Sequence, residues 1–280
     1  MRWRDRRRST NIDDRRGQTM KRGAAIGGGG IIMALVAIFL LGKDPGEVLQ
    51  GVLQQQQSAP AQNQPYQSSE QEEAVKEFMS VVMADTEDTW GRIFQNAGQQ
   101  YPPPTLVIYT GATQTACGVG QAASGPFYCP GDQDIYIDMA FLNELQRMGA
   151  SGDFAVAYVL AHEVGHHIQT ITGTSNKVRQ MQARASKAQG NDLQVRMELQ
   201  ADCYAGVWAN HTQQRTQFLE RGDIQEAIQA AASVGDDTIM KRAGIPPRKE
   251  NFTHGTSEQR MQWFNRGIQS GDVNQCDTGI

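Results

Sequence analysis

The 280-residue chain has no recognisable nucleic-acid motif and no internal repeat at a solenoid period. It has no Cys-x-x-Cys pair, which argues against a cysteine zinc site. Beyond residue 22 it is short of positive charge: 17 basic side chains stand against 27 acidic ones, a net of -10. Such a body is a poor partner for phosphate backbones, so nucleic acid is excluded as a partner. Positive charge is concentrated in residues 1–22, where nine Arg or Lys face three Asp, a net of +6.

The segment after that tail explains it. Ala24 to Leu41 is a run of 18 uncharged residues, near the short end of the about 20 needed to cross a bilayer. No small-x-small site comes after it to mark a cleaved signal peptide. The pattern predicts a basic cytoplasmic tail over 1–23 and one transmembrane anchor over 24–42, with the lipid bilayer as its partner. Residues 43–68 are rich in Gln, Ser, Ala and Pro and read as a flexible linker. A single domain then spans 69–280, on the far side of the membrane from the tail.

The four cysteines suit such a compartment. Of the three possible pairings, Cys117–Cys129 with Cys203–Cys276 asks least of the chain; buried free thiols are the alternative. Within the domain, Ser69 and Glu72 form a capping box for a helix to about Ala84, and a second helix is expected from Thr86 to about Ala97. Thr105–Tyr109 and Asp134–Asp138 read as strands. The chain after Asp138 is mostly helical. Strands before helices predict an α+β fold with a small sheet.

"YVLAHEVGHH", residues 158–167, lies in an apolar helix started by Gly152–Asp153 and stopped by Gly173. His162 and His166 fall about 40° apart around it, so both imidazoles can reach one metal ion. Glu163 lies between them, placed to touch a water rather than the metal. His167, about 100° from His166, is expected at the surface or behind the ligands. A catalytic zinc needs a third protein ligand. "ELQAD" in a helix expected from Asn191 or Asp192 to about Thr212 offers Glu198, with Asp202 at i+4 to hold a ligand histidine's free N–H. Ala201, Ala205 and Gly206 would let this helix pack closely on the first.

"HEVGHH" with "ELQAD" resembles the Glu-zincin metallopeptidases. "MRWRDRR", "EDTWGRIF", "CGVGQAASGPFYCPGD", "YIDMAF", "RMELQADCYAGVW" and "FTHGTSEQRMQWF" extend the likeness over nearly the whole chain. It is similar to a bacterial membrane-anchored family, the putative neutral zinc metallopeptidases. The resemblance implies a zincin-like domain, one Zn2+ per chain and a peptide or protein substrate. It implies an edge strand that pairs with extended substrate, for which Ile135, Tyr136, Ile137 and Asp138 have the right chain order. It also implies a late histidine: His254 either donates to the developing oxyanion or is a loop residue without a role. Arg260 pairs with Asp202 or Glu198, and Thr256 with Gln259 caps the helix after His254.

The expected function is therefore peptide hydrolysis by a metal-activated water with Glu163 as general base. The alternative is a non-catalytic, zinc-stabilised envelope adaptor. The expected location is the bacterial inner membrane, single-pass, with the N-terminus cytoplasmic and the catalytic domain periplasmic or extracytoplasmic.

Overall fold

The computed structural model describes residues 1–18, 66–121 and 125–280. Residues 1–16 and 68–280 form one compact unit; residues 17–67 group separately, and nearly all of them lie outside the described residues. The expected anchor over 24–42 and nearly all of the expected linker over 43–68 lie outside them too. No helix among the described residues is long and apolar enough to cross a membrane.

The fold is mixed α+β and mostly helical. In chain order the elements are β1 (Ile12–Asp14), α1 (Glu70–Asn96), β2 (Leu106–Tyr109), β3 (Ala112–Thr115), β4 (Gly118–Gln121), β5 (Phe127–Cys129), β6 (Asp134–Asp138) and α2 (Phe141–Arg147). Then come α3 (Asp153–Ile171), α4 (Thr174–Gln182), α5 (Lys187–Thr216), α6 (Asp223–Ser233), α7 (Asp236–Arg242) and α8 (Ser257–Ser270). The main sheet has the order β1-β2-β6-β5, and β3 pairs with β4 in a hairpin. Strands β1, β2 and β6 run parallel, while β5 is antiparallel to β6.

Three helix ends obey their caps. The Ser69–Glu72 and Thr256–Gln259 boxes both form, at the starts of α1 and α8. Helix α5 starts at Lys187, earlier than expected, because Ser186 and Gln189 make its box rather than Asn191 or Asp192. Helix α1 is continuous where two helices were expected. Nothing between Ala84 and Thr86 breaks it, since the Thr86 hydroxyl bonds back to the Met83 carbonyl at 2.7 Å and the turn stays helical.

The basic tail differs most from expectation. It was expected apart from the domain; residues 1–16 are instead built into it. Ile12, Asp13 and Asp14 pair with Leu106, Val107 and Ile108. Trp3 packs edge-on against Phe78, ring centres 5.5 Å apart. Arg7 reaches Glu87 at 3.0 Å and Asp88 at 2.7 Å, Arg8 pairs with Glu77, and Arg16 reaches Glu73 at 2.6 Å, all acidic residues of α1. Residues 1–16 thus lie together with 68–280, whereas a single crossing over 24–42 would separate them across a bilayer.

The core lies where α3 meets the sheet and α5. Phe154, Leu160 and Val164 of α3 are fully buried, with Trp208 of α5 and Phe264 of α8. Each such side chain contributes about 1.5–3 kcal/mol of hydrophobic burial. The two disulfides pair as expected. Cys117–Cys129 ties the β3–β4 turn to the end of β5, and Cys203–Cys276 ties α5 to the C-terminal turn.

Candidate active site

Helices α3 and α5 must come close for their polar residues to meet. They do so because Gly165 has no side chain: a Cβ there would lie 2.9 Å from Ala201 Cα. Gly206, expected to serve this contact, serves another. It lies against α8, where a Cβ would come within 2.3 Å of the Phe264 carbonyl.

The close approach brings His162, His166 and Glu198 together, with one donor atom of each within 4.8 Å of the others. His162 Nε2 lies 3.2 Å from Glu198 Oε2, and His166 Nε2 lies 3.6 Å from Glu198 Oε1. Both rings present Nε2 because Nδ1 is engaged behind them. His162 Nδ1 donates to Asp202 Oδ1 at 2.8 Å. His166 Nδ1 donates to Gln169 Oε1 at 2.8 Å, and Gln169 in turn donates to the Met197 carbonyl at 2.7 Å. Such partners fix the ring and its tautomer in metal sites.

The electrostatics suit a cation. Burial works against charge on His162, yet Asp202 and Glu198 raise its pKa to about 9. Burial likewise opposes charge on His166, but Glu198 moves its pKa upward. Burial works against ionised Glu198, and the two imidazoles still hold its pKa well below the usual carboxylate range. Two nitrogens and one carboxylate oxygen, backed by hydrogen bonds and poised to share positive charge, fit a divalent metal ion.

Asp202 anchors the group from beneath and is wholly buried. Arg260 donates to its Oδ2 through Nε at 2.8 Å and to its Oδ1 through Nη2 at 2.9 Å. Tyr158 donates its hydroxyl to Oδ1 at 2.5 Å. Burial opposes ionisation of Asp202, but Arg260 and His162 lower its pKa to about 2. Above the metal group opens a cavity of about 1080 Å³, lined by Glu163, His254, Tyr128, Phe141, Val159 and Val234 among others.

The model of the family described as "Putative neutral zinc metallopeptidase" matches residues 1–279. The chain belongs to that family. The Escherichia coli (strain K12) protein named "Uncharacterized protein YpfJ" is 46% identical over 288 residues, covering 99% of this chain and 98% of its own. The Mycobacterium tuberculosis (strain ATCC 25618 / H37Rv) protein named "Uncharacterized protein Rv2575" is 43% identical over 189 residues, 64% of this chain and 63% of its own. No solved structure matches the chain.

Against the sequence expectations for this zinc metallopeptidase-family chain, the geometry makes one correction. Ile135, Tyr136, Ile137 and Asp138 do not form an edge. They are at most 1% exposed, and β6 lies between β2 and β5. The edges are β1 and β5, and Phe127 and Tyr128 of β5 line the cavity. Alternating polarity marked β6 as a strand but carried nothing about its rank in the sheet. Asp138 instead accepts the Gly111 and Ala140 backbone N–H groups at 2.6 and 2.7 Å. Of the two places expected for His167, the surface is excluded, since it is 1% exposed.

Three residues of the site were missed, Tyr158 under Asp202 among them. Gln169, three positions after His166, was readable only through its helical phase. Asp236 holds His254: it lies 3.2 Å from His254 Nδ1 and accepts the backbone N–H groups of Thr253, His254 and Gly255 at 2.8, 2.6 and 2.9 Å. Lying 18 residues upstream of His254, it gave no local signal. Arg260 chooses Asp202, one of its two expected partners. His211 donates to or accepts from nothing in the cavity; its Nε2 lies 2.8 Å from the Gly271 carbonyl.

Proposed function

We propose that the protein is a zinc-dependent metallopeptidase that binds extended peptide along β5. The reading is supported by family membership and carried by one observation: three donor atoms from two helices converge at the floor of a large cavity beside Glu163. When bound by His162, His166 and Glu198, zinc polarises the scissile carbonyl and the attacking water.

The chain's own residues would do the rest. Glu163 takes the water's proton on its carboxylate and passes it to the leaving amine nitrogen. Asp236 accepts from His254 Nδ1, so that when the ring is doubly protonated its Nε2–H donates to the carbonyl oxygen as charge develops there. Asp202, held by Arg260 and Tyr158, keeps the His162 ring with Nε2 facing the metal position. The outer edge of β5 offers backbone groups to an extended substrate, a grip that depends little on sequence.

A closed structural zinc, as an adaptor would hold, wants four protein ligands. Among the described residues this group has three, and Asp202 is spent on Arg260 and Tyr158. The two disulfides support an oxidising, extracytoplasmic compartment for the domain. The uncharged run over 24–42 supports attachment to the bacterial inner membrane. In this reading residues 1–16 share the domain's face of the bilayer, which their pairing with β2 and α1 supports.

Elemental analysis with an unbiased peptide-library digest tests the proposal. Wild type and Glu163→Gln should each carry one zinc per chain. Cleavage should fall at least about a hundredfold in the variant, within the usual span of general-base contributions. Absence of zinc, or equal cleavage by both proteins, would refute the reading.

A further inference from the structure

His167 comes directly after the second metal ligand, yet it faces away from the metal group. It is 1% exposed and sits between aromatic rings, 5.8 Å from the Tyr101 centroid and 5.5 Å from that of Tyr128, edge-on to both. Its Nε2 lies 2.6 Å from the Pro102 carbonyl and its Nδ1 lies 3.2 Å from the Tyr128 hydroxyl. A carbonyl only accepts, so Nε2 carries the proton. Nδ1 is then an acceptor, and Tyr128 donates to it. A neutral ring meets both demands.

Tyr128 is the middle residue of β5. Side chains alternate along a strand, so its neighbours point the other way. Phe127 stacks on Tyr136 at 5.1 Å, and Cys129 is tied to Cys117. Tyr128 reaches back to α3. The strand edge that would receive substrate and the helix that carries two metal ligands are therefore joined by a half-buried hydrogen bond, and its helix end is next to His166.

We propose that His167 is a positioning residue, which sets β5 at its working height over the metal group through Tyr128. This deepens the peptidase reading and rests on it for the role of β5. The bond acts across the strand from the disulfide. The disulfide holds the end of β5 to the β3–β4 turn, whereas His167 holds its middle to the metal-binding helix. Loss of the link frees the strand to ride up or slide, which weakens peptide binding and leaves the metal ligands in place.

The test uses the full chain with Tyr128→Phe, which removes one hydroxyl and keeps the ring, beside His167→Gln and the double variant. Hydrogen exchange at residues 127–129 should quicken several-fold in each single variant, about what loss of one hydrogen bond gives. The double variant should be no faster than the faster single one, because both substitutions cut the same bond. Zinc content should stay at one per chain. With a fluorogenic peptide pool, KM should rise several-fold while kcat stays within about twofold, the pattern of lost ground-state binding. Unchanged exchange in Tyr128→Phe, or strictly additive effects in the double variant, would overturn the proposal. So would a fall in kcat with KM unmoved. If wild type cleaves no peptide in the pool, the peptidase reading fails, and the exchange data alone decide whether His167 positions the strand.

Discussion

Two buried carboxylates in this protein face arginine, and they are driven in opposite directions. Asp202 accepts from Tyr158, from His162 and twice from Arg260, so both its oxygens are engaged. Despite burial its pKa falls to about 2. Asp85 lies between Arg6 of the tail and Arg215 of α5, at 2.5 and 3.7 Å. Only its Oδ1 is used; Oδ2 has no hydrogen-bond partner among the described residues. Burial outweighs its arginines and pushes its pKa up to about 7. A nearby cation does not by itself keep a buried carboxylate ionised. Saturation of both oxygens does, and the protein provides it beneath the metal group but not under the tail.

The strongest way to break this contrast is Asp202→Asn. It leaves Arg260, which is 3% exposed, without its counter-charge. Stability should drop by about 3–5 kcal/mol in urea unfolding, the usual result of orphaning a buried ion-pair partner. Zinc affinity, read by chelator competition, should weaken by about 10–100-fold. An Asp202→Asn variant as stable as wild type would show that Arg260 is not held by charge.

Gln169→Ala sharpens the contrast, because Gln169 backs His166 with a neutral amide where Asp202 backs His162 with a charge. No buried ion is stranded, so stability should fall by only about 1 kcal/mol. Zinc affinity should weaken by about tenfold, the low end of the range for such partners. A loss equal to that of Asp202→Asn would remove the distinction between the two arms.

The smallest effect belongs to Asp85→Asn, and its sign depends on pH. The folded carboxyl binds its proton up to about pH 7, while the unfolded one releases it near the ordinary value of 3.8. Between these values the native state holds more protons, so this group's contribution to stability declines as pH rises from about 4 to 7. Asp202 runs the other way: its contribution is present above about pH 4 and lost as pH falls towards 2. Urea midpoints of Asp85→Asn across pH 4–7 should decline less than those of wild type. A parallel decline would mean that Asp85 stays ionised throughout.

Much of the site was legible because it is local. The i, i+4 spacing of His162 and His166, and of Glu198 and Asp202, fixes each pair on one helical face whatever surrounds it. The capping boxes at Ser69 and Thr256 are equally local. What escaped depends on partners distant in sequence. A three-residue edge strand, β5, has too little pattern to be ranked beside β6. Strand β1 was hidden because the charge around Ile12 reads as a solvated tail until α1 supplies its acids. Asp236 and His254 are joined only by the folding of the loop between them. The continuous α1 was missed for a different reason: the break expected before Thr86 is closed by its hydroxyl, which bonds back to the Met83 carbonyl within the helix.

The parallel pairing of β1 with β2 also orders events at the ribosome. Ile12 leaves the exit tunnel long before Leu106, its ladder partner, and the Arg2 backbone waits for the Phe218 carbonyl, 2.9 Å away in the finished protein. An early segment thus waits for later partners: β1 pairs only once residues 106–108 have emerged, and Arg2 only once Phe218 has. Until then the unpaired edges of β1 in nascent chains are open to strand exchange.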